Sequence, residues 1–284
     1  MGDYIKLPVN YIGNKYKLIP QIATLFPETI NTFVDVCGGS GTVLLNVNAE
    51  HFVYNDVNPY VKSIIEGIVN TDYDSIIRDI KEKIRVYSLN KTNREGFERL
   101  RNDYNSGMND WLTLYVLMCY SFNYQFRFNT NHEYNSSFGK NRSCFSDRQS
   151  LELKKVKQWQ EGKDIVVSCK SLFDIDYTKY GERDLLYFDP PYLNSVGNYN
   201  DGKRGFEGWT AVHERSLCEL LDTLNNANLR WALSNNFGYV NDILEDWLTA
   251  SNYKVHKLEG TYTNCNYHKR NKETKGMEVL ITNY

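Results

Sequence analysis

The chain has no closely spaced pair of cysteines. Its six (Cys37, Cys119, Cys144, Cys169, Cys218 and Cys265) are scattered. That excludes a zinc ribbon and argues against a disulfide scaffold, so reduced thiols in a cytosolic protein are expected. The five histidines (His51, His132, His213, His256 and His268) show no ligand spacing, and no metal site is expected. Long apolar runs are missing too: none approaches the ~18 residues that a membrane span requires. The opening MGDYIKLPVNYIGNK carries no apolar signal core, which predicts a cytoplasmic location and no membrane partner. An excess of either charge is also absent. With a net charge of −2, any nucleic-acid partner has to be met by a local basic surface.

What the chain does have is material for a core. Its 284 residues are 41% hydrophobic and 24% charged, the profile of a soluble globular protein. That length suits one α/β domain with a large insertion, or two domains of ordinary size.

The opening pattern is strand, glycine turn, helix, strand. Thr32 to Val36 reads as a short strand, Cys37 to Thr42 as a glycine turn, and Val43 to Val47 as the start of a helix. A second strand, His51 to Asp56, ends in a carboxylate. Pro59 is placed to begin a helix whose apolar positions Val61, Ile64, Ile65 and Ile68 have helical spacing. This is the opening half of a Rossmann-type sheet.

Between residues 72 and 160 the pattern changes. Helical segments at 73–86, 94–105 and 111–120 lead into a polar, aromatic and basic stretch. From 121 to 157, seven Lys/Arg stand against three acids, with Phe122, Tyr124, Phe126 and Phe128 interleaved. Such a stretch is either a solvated insertion or a groove for a phosphate backbone. Strands resume at 165–169, 184–189, 229–235 and 278–282, with helices at 213–225 and 240–251. The sheet is therefore split around the insertion.

Gly39 and Gly41 allow a ligand close to the backbone, and Asp56 is placed to accept ribose hydroxyls. The decisive segment is Phe188-Asp189-Pro190-Pro191-Tyr192, which follows an apolar strand and so emerges at the carboxyl edge of the sheet. Two prolines hold the backbone extended and leave carbonyls without strand partners. Asp189 and the Pro190 carbonyl can then face one exocyclic amino group, while Tyr192 stacks on a flat ring.

Asp-Pro-Pro-Tyr at this position resembles the catalytic motif of amino-methyltransferases that use S-adenosyl-L-methionine. Tyr11-Ile12-Gly13-Asn14-Lys15 resembles the Trp/Tyr-x-Gly-x-Lys motif that opens the Dam-like (alpha group, D12 class) DNA adenine-N6 methyltransferases. The glycine turn, the insertion and Asp-Pro-Pro-Tyr then follow in that family's order, over nearly the whole chain. Within the insertion, residues 122–129 and Phe138-Gly139-Lys140 resemble the family's Tyr-Asn-x-x-x-Arg-x-Asn and Phe-Gly-Lys/Arg segments.

The resemblance implies a Rossmann-like methyltransferase sheet, residues 1–70 and 160–284, with an inserted, mainly helical DNA-recognition domain at 71–159. It implies that Tyr11 and Lys15 contact the cofactor, with Lys15 near its carboxylate end. Asp35, Gly39 and Gly41 would shape the methionine pocket, Asp56 would hold the ribose, and Ser171 and Leu172 would border the adenine. Asp189, Pro190 and Tyr192 would hold the target base. On double-stranded DNA the expected contacts are Asn123, Arg127, Asn129, Lys140 and Arg270, with Arg127 reading a guanine, a pairing that bidentate geometry suits. Tyr124, Gln125, Phe126 and Ser137 depart from the residues of relatives, so a GATC target is not assumed. The resemblance also implies a bacterial or phage-encoded protein, with or without a companion restriction endonuclease.

The mechanism expected is direct transfer to N6 of a flipped-out adenine, driven by positioning and electrostatics. No Pro-Cys pair is present, which excludes a covalent cytosine-C5 route. Cytosine-N4, RNA and protein-amide acceptors are disfavoured by Asp189, since such enzymes more often carry Ser or Asn there. A dinucleotide oxidoreductase would leave Asp-Pro-Pro-Tyr unused, and a non-catalytic DNA-binding scaffold would not need Lys15, Asp56, Asp189 and Tyr192 together. Two loops complete the reading. Residues 193–209, with Phe206 and Trp209, either close over the base or pack. Residues 256–276, with Asn264, Asn266, His268 and Arg270, are a candidate phosphate-binding loop.

Overall fold

The computed structural model describes residues 4–125, 127–194, 208–259 and 277–284. Phe126, Phe206, Asn264, Asn266, His268 and Arg270 lie outside them. The described strands form a single sheet: β1 (Thr32–Asp35), β2 (His51–Asn55), β3 (Ile165–Ser168), β4 (Leu185–Phe188), β5 (Arg230–Asn236), β6 (Lys254–Lys257) and β7 (Glu278–Thr282). Their order is β3-β2-β1-β4-β5-β7-β6, parallel except for β7, which runs antiparallel to both of its neighbours. Strand order reverses between β1 and β4, and open α/β sheets leave a ligand crevice at such a point.

Alternation along the strands divides the core between the two faces. Phe33, Leu185, Tyr187, Ala232 and Leu280 join one cluster, while Val34, Leu186, Phe188, Trp231, Leu233, Val279 and Ile281 join the other. Helices α7 (Ala211–Asn226) and α8 (Asp242–Ala250) cover the second face. The first is covered by α1 (Ile19–Leu25), α2 (Pro59–Asn70) and the helices between β2 and β3: α3 (Tyr73–Val86), α4 (Arg94–Asn105), α5 (Trp111–Tyr120) and α6 (Asp147–Gln160). The inserted helices share one continuous core with the sheet. Helix α5 is buried on every side.

Several helix starts follow from their caps. Asn58, Asp72, Asn93 and Asp110 accept backbone N–H bonds at the starts of α2 to α5, and Pro59 occupies the first turn of α2. The four apolar residues expected on α2 are buried.

The structure corrects the expected helix at Val43–Val47, which is a single 3-10 turn at Leu44–Asn46. Few residues separate the glycine turn from β2, and Val47 is already extended. The Asn46 side chain also bonds the backbone of Ile5 and Thr42, anchoring this turn to the N-terminal segment. Helices α1 and α6 and strand β6 are additions to the sequence reading. Phe128 is buried rather than lining an open groove: it stacks on Tyr60 with ring centroids 3.5 Å apart.

Candidate active site

Three strand ends deliver the site. Asp35 closes β1, Asn55 and Asp56 end β2, and Asp189 follows the fully buried β4. Strand β7 adds a fourth group. Because it runs antiparallel, its first residue, Glu278, pairs with Asn236 at the carboxyl end of β5, on the same edge as Asp189.

Asn55 ties these ends together. Its amide donates to the carbonyls of Val36 and Lys170, and its Oδ1 accepts from the Lys170 N–H and the Ser168 hydroxyl. The glycine turn folds over Asp56, whose carboxylate accepts from the N–H groups of Gly39 and Asn58, each at 2.7 Å. Gly39 and Gly41 have positive φ. A side chain at position 39 would meet the Tyr11 ring at 2.9 Å, so glycine lets Tyr11 lie against the turn.

Lys15 is buried, with its ammonium 2.6 Å from Asp189 Oδ2 and 2.9 Å from the Gly13 carbonyl. It also lies over the Tyr192 ring, 5.3 Å from the centroid. The sequence reading set Lys15 at the carboxylate end of a cofactor. In the structure its ammonium pairs with Asp189. The Tyr192 hydroxyl lies 3.1 Å from Asp189 Oδ1 and 3.2 Å from Glu278 Oε2, and Asn236 donates to Glu278 Oε1 at 2.7 Å. Pro190 is buried directly after Asp189.

Asp35 is the unusual member. It is 1% exposed, and apart from the influence of the Leu44 N–H neither carboxylate oxygen has a hydrogen-bond partner among the described residues. Burial, then the charges of Asp189 and Asp56, hold its carboxyl well above the usual range, with the Leu44 N–H and Lys15 opposing. Burial likewise raises Asp189, against the pull of Lys15, and raises Glu278. Asp189 pairs directly with Lys15, the single buried ammonium among the described residues, and Asp35 and Glu278 feel the same charge. With Asp35 close to Asp189 and Asp56 and only one buried ammonium to share, the pocket favours a cationic ligand, and an orphaned buried carboxylate is a ready partner for it. On the rim of the crevice, Ser171 caps a 3-10 turn that begins with the buried Leu172, and Phe173 is exposed.

A family model described as "D12 class N6 adenine-specific DNA methyltransferase" matches residues 11–264. The chain belongs to this family. Among the curated relatives of this D12-class chain is the type II methyltransferase M.FokI of Planomicrobium okeanokoites. It is 41% identical over all of this chain and 43% of that protein. The modification methylase StsI of Streptococcus sanguinis is 40% identical over 99% of this chain and 43% of its own length. A DNA adenine methylase of Haemophilus influenzae is 24% identical over 76% of this chain and 74% of its own. The D12-class chain therefore spans less than half the length of the first two.

The segment that resembles the D12 recognition motif is a hairpin. Bridges pair Ser121 with Phe138 and Phe128 with Tyr134. Much of the motif supports the backbone: Phe138 packs on Phe97, and a side chain at Gly139 would meet the Ser143 hydroxyl and the Ser121 carbonyl. Asn129 is engaged in the turn, accepting from the N–H groups of Asn131 and Glu133 and donating to the Glu133 carboxylate. Asn123 has φ 57°, and its carbonyl accepts from Asn10 beside Tyr11. Arg127 is exposed, with Nε bonded to Asn135 Oδ1 at 3.0 Å, and Lys140 is exposed too.

Trp209 packs rather than standing open. It lies against His213 and Phe173 and donates to Glu214. Sequence reasoning missed Asn55, Asn236 and Glu278, since each acts through a partner distant in sequence, and Asn135, which meets Arg127 only once the chain has turned back. The only local signal was that Asn55 precedes an already suspected Asp56.

Proposed function

We propose that this chain transfers a methyl group from S-adenosylmethionine to N6 of an adenine flipped out of double-stranded DNA. The observation that carries the reading is Asp189. It is a carboxylate at the carboxyl end of the central strand β4, followed by a buried proline and bonded at its two oxygens by Tyr192 and Lys15. We assign residues 1–70 and 160–284 to catalysis and 71–159 to target recognition, and we place the protein in the bacterial cytoplasm. A companion endonuclease fits the modification-methylase names of its relatives.

Asp35 would pair with the cationic methionine end of the cofactor, and Asp56 would hold its ribose. Tyr11, Gly39 and Gly41 would line its path, and Ser171 and Leu172 would border its adenine. When bound, the cofactor supplies an activated methyl on a sulfonium. The protein's task is to make an aromatic amine nucleophilic. Each oxygen of Asp189 accepts one bond already and keeps a second lone pair, so the carboxylate can also accept from the target amine. With the second amino proton on the Pro190 carbonyl, the nitrogen is drawn out of conjugation and its lone pair is freed to attack. Asp189 would then face the positive charge that develops on nitrogen as the N–C bond forms and the methyl–sulfur bond breaks, a charge relieved when one amino proton passes to water. Tyr192 replaces the stacking that the base gives up on leaving the helix. Lys15 keeps Asp189 ionised.

The test is transfer of labelled methyl from S-adenosylmethionine to duplex DNA, followed by mapping of modified adenines. Label at N6 within one short sequence is expected, together with loss of transfer in D189A under retained DNA binding. Label in RNA or protein alone would overturn the DNA reading.

A further inference from the structure

The bonds around Tyr192 are short of one proton. Its hydroxyl carries a single hydrogen and faces two carboxyl oxygens, Asp189 Oδ1 at 3.1 Å and Glu278 Oε2 at 3.2 Å. With both carboxyl groups ionised, one of them would face the hydroxyl oxygen with no hydrogen between them. Asp189 is the ionised member, because Lys15 lies 2.6 Å from its other oxygen. Glu278 makes no ion pair among the described residues. It is 5% exposed, and its other oxygen is bonded to the neutral amide of Asn236 at 2.7 Å. From β6, the Leu258 N–H reaches only the Glu278 backbone carbonyl, and the flanking Lys257 and Glu259 are exposed.

We infer that Glu278 is a positioning residue for methyl transfer: its Oε2 carries a proton and donates it to the Tyr192 oxygen, so that the Tyr192 hydroxyl is directed at Asp189. The inference rests on the proposed function only for its catalytic consequence. Glu278 then donates to Tyr192 and Tyr192 to Asp189, which also accepts from Lys15, and Asn236 on β5 anchors the Glu278 end. The ring that is to stack on the target base is fixed at its tip, and the carboxylate that is to receive the amine is fixed through the same bond. Burial raises the Glu278 carboxyl above the usual range, and Asp189 adds to the rise while Lys15 opposes it.

Glutamine is the isostere of a protonated glutamate: its amide donates to Tyr192 and its carbonyl still accepts from Asn236. E278A is expected to lower kcat about tenfold or more, with cofactor affinity little changed. E278Q is expected to restore most of that loss. Wild-type kcat should fall as rising pH takes the proton from Glu278, and E278Q should lack that limb. Infrared difference spectra between wild type and E278Q at neutral pH, read without turnover, should contain the carbonyl band of a protonated carboxylic acid. A spectrum with ionised carboxylate bands alone overturns the inference. So does an E278Q as slow as E278A with both variants folded, or an E278A as fast as wild type. A carboxylic-acid band in a wild-type chain that methylates no DNA supports the proton on Glu278 and overturns the enzymatic reading instead.

Discussion

Asp35 is a carboxylate that the cofactor-free protein holds at a loss. It lies in the core beside two other carboxylates, and apart from the influence of the Leu44 N–H neither oxygen is bonded among the described residues. Because its carboxyl is raised in the folded state, this group destabilises the fold increasingly as pH climbs from about 4, the unfolded value, toward the folded one. D35N should therefore melt higher than wild type without cofactor, by about 2–4 °C for each kcal/mol recovered, and the gap should widen with rising pH. The same variant should bind S-adenosylmethionine more weakly, which calorimetric titration would register. Equal melting at all pH values would mean that Asp35 is already satisfied. Arg127 makes the opposite case, an exposed cation steered by Asn135. R127A should relax discrimination at one base pair by ~1–3 kcal/mol, read by binding to a panel of single-base variants. At this scale the sequence was informative where a polar residue ends a buried strand, as Asp56 and Asp189 do. It was silent on Glu278, which reads as the first residue of an ordinary strand. Only the antiparallel register of β7 brings it to Tyr192.

Elements were legible where local signals agreed. Helices α2 to α5 each have a capping side chain, and three of the four show apolar positions at helical spacing. Helix α6 escaped notice because its charges drew attention, although Ser146 and Gln149 form a capping box at its start. Strand β6, Lys254–Lys257, buries almost nothing on either face, so no alternation announces it. Gly67, in the middle of α2, shows how packing overrides propensity. Alanine there would gain about 1 kcal/mol from helix propensity alone. Its Cβ, however, would collide with the Trp111 indole at the start of α5. Overpacking of this kind costs about 1–3 kcal/mol, so G67A should lower stability to urea and loosen α5 from α2. A more stable G67A would show that the indole yields freely.

Across the whole molecule, the division of the sheet around the insertion was legible, but the strand order, with its closing β5-β7-β6 arrangement, was not, because strand order is a property of long-range pairing. Asp184 secures the opposite edge of the sheet from the site. Its carboxylate accepts from Asn31, the Thr32 N–H and the Gly181 N–H, joining the starts of β1 and β4. Burial would raise this carboxyl, but those three donors outweigh it and hold it below the usual range. Its contribution is therefore complete above about pH 4 and lost as pH falls through the folded value. D184A should cost about 1–3 kcal/mol in urea unfolding at neutral pH, and its deficit should shrink in acid. A deficit constant with pH would assign it to packing.

The placement of β7 between β5 and β6 also sets a timetable for synthesis. On a ribosome, the chain through β6 already contains Lys15, Asp189 and Tyr192, yet β6 has no strand beside it until β7 arrives, and Tyr192 has no Glu278. Until β7 has been made, a growing, stalled or clipped chain carries the motifs of the D12 class without the contact between Tyr192 and Glu278.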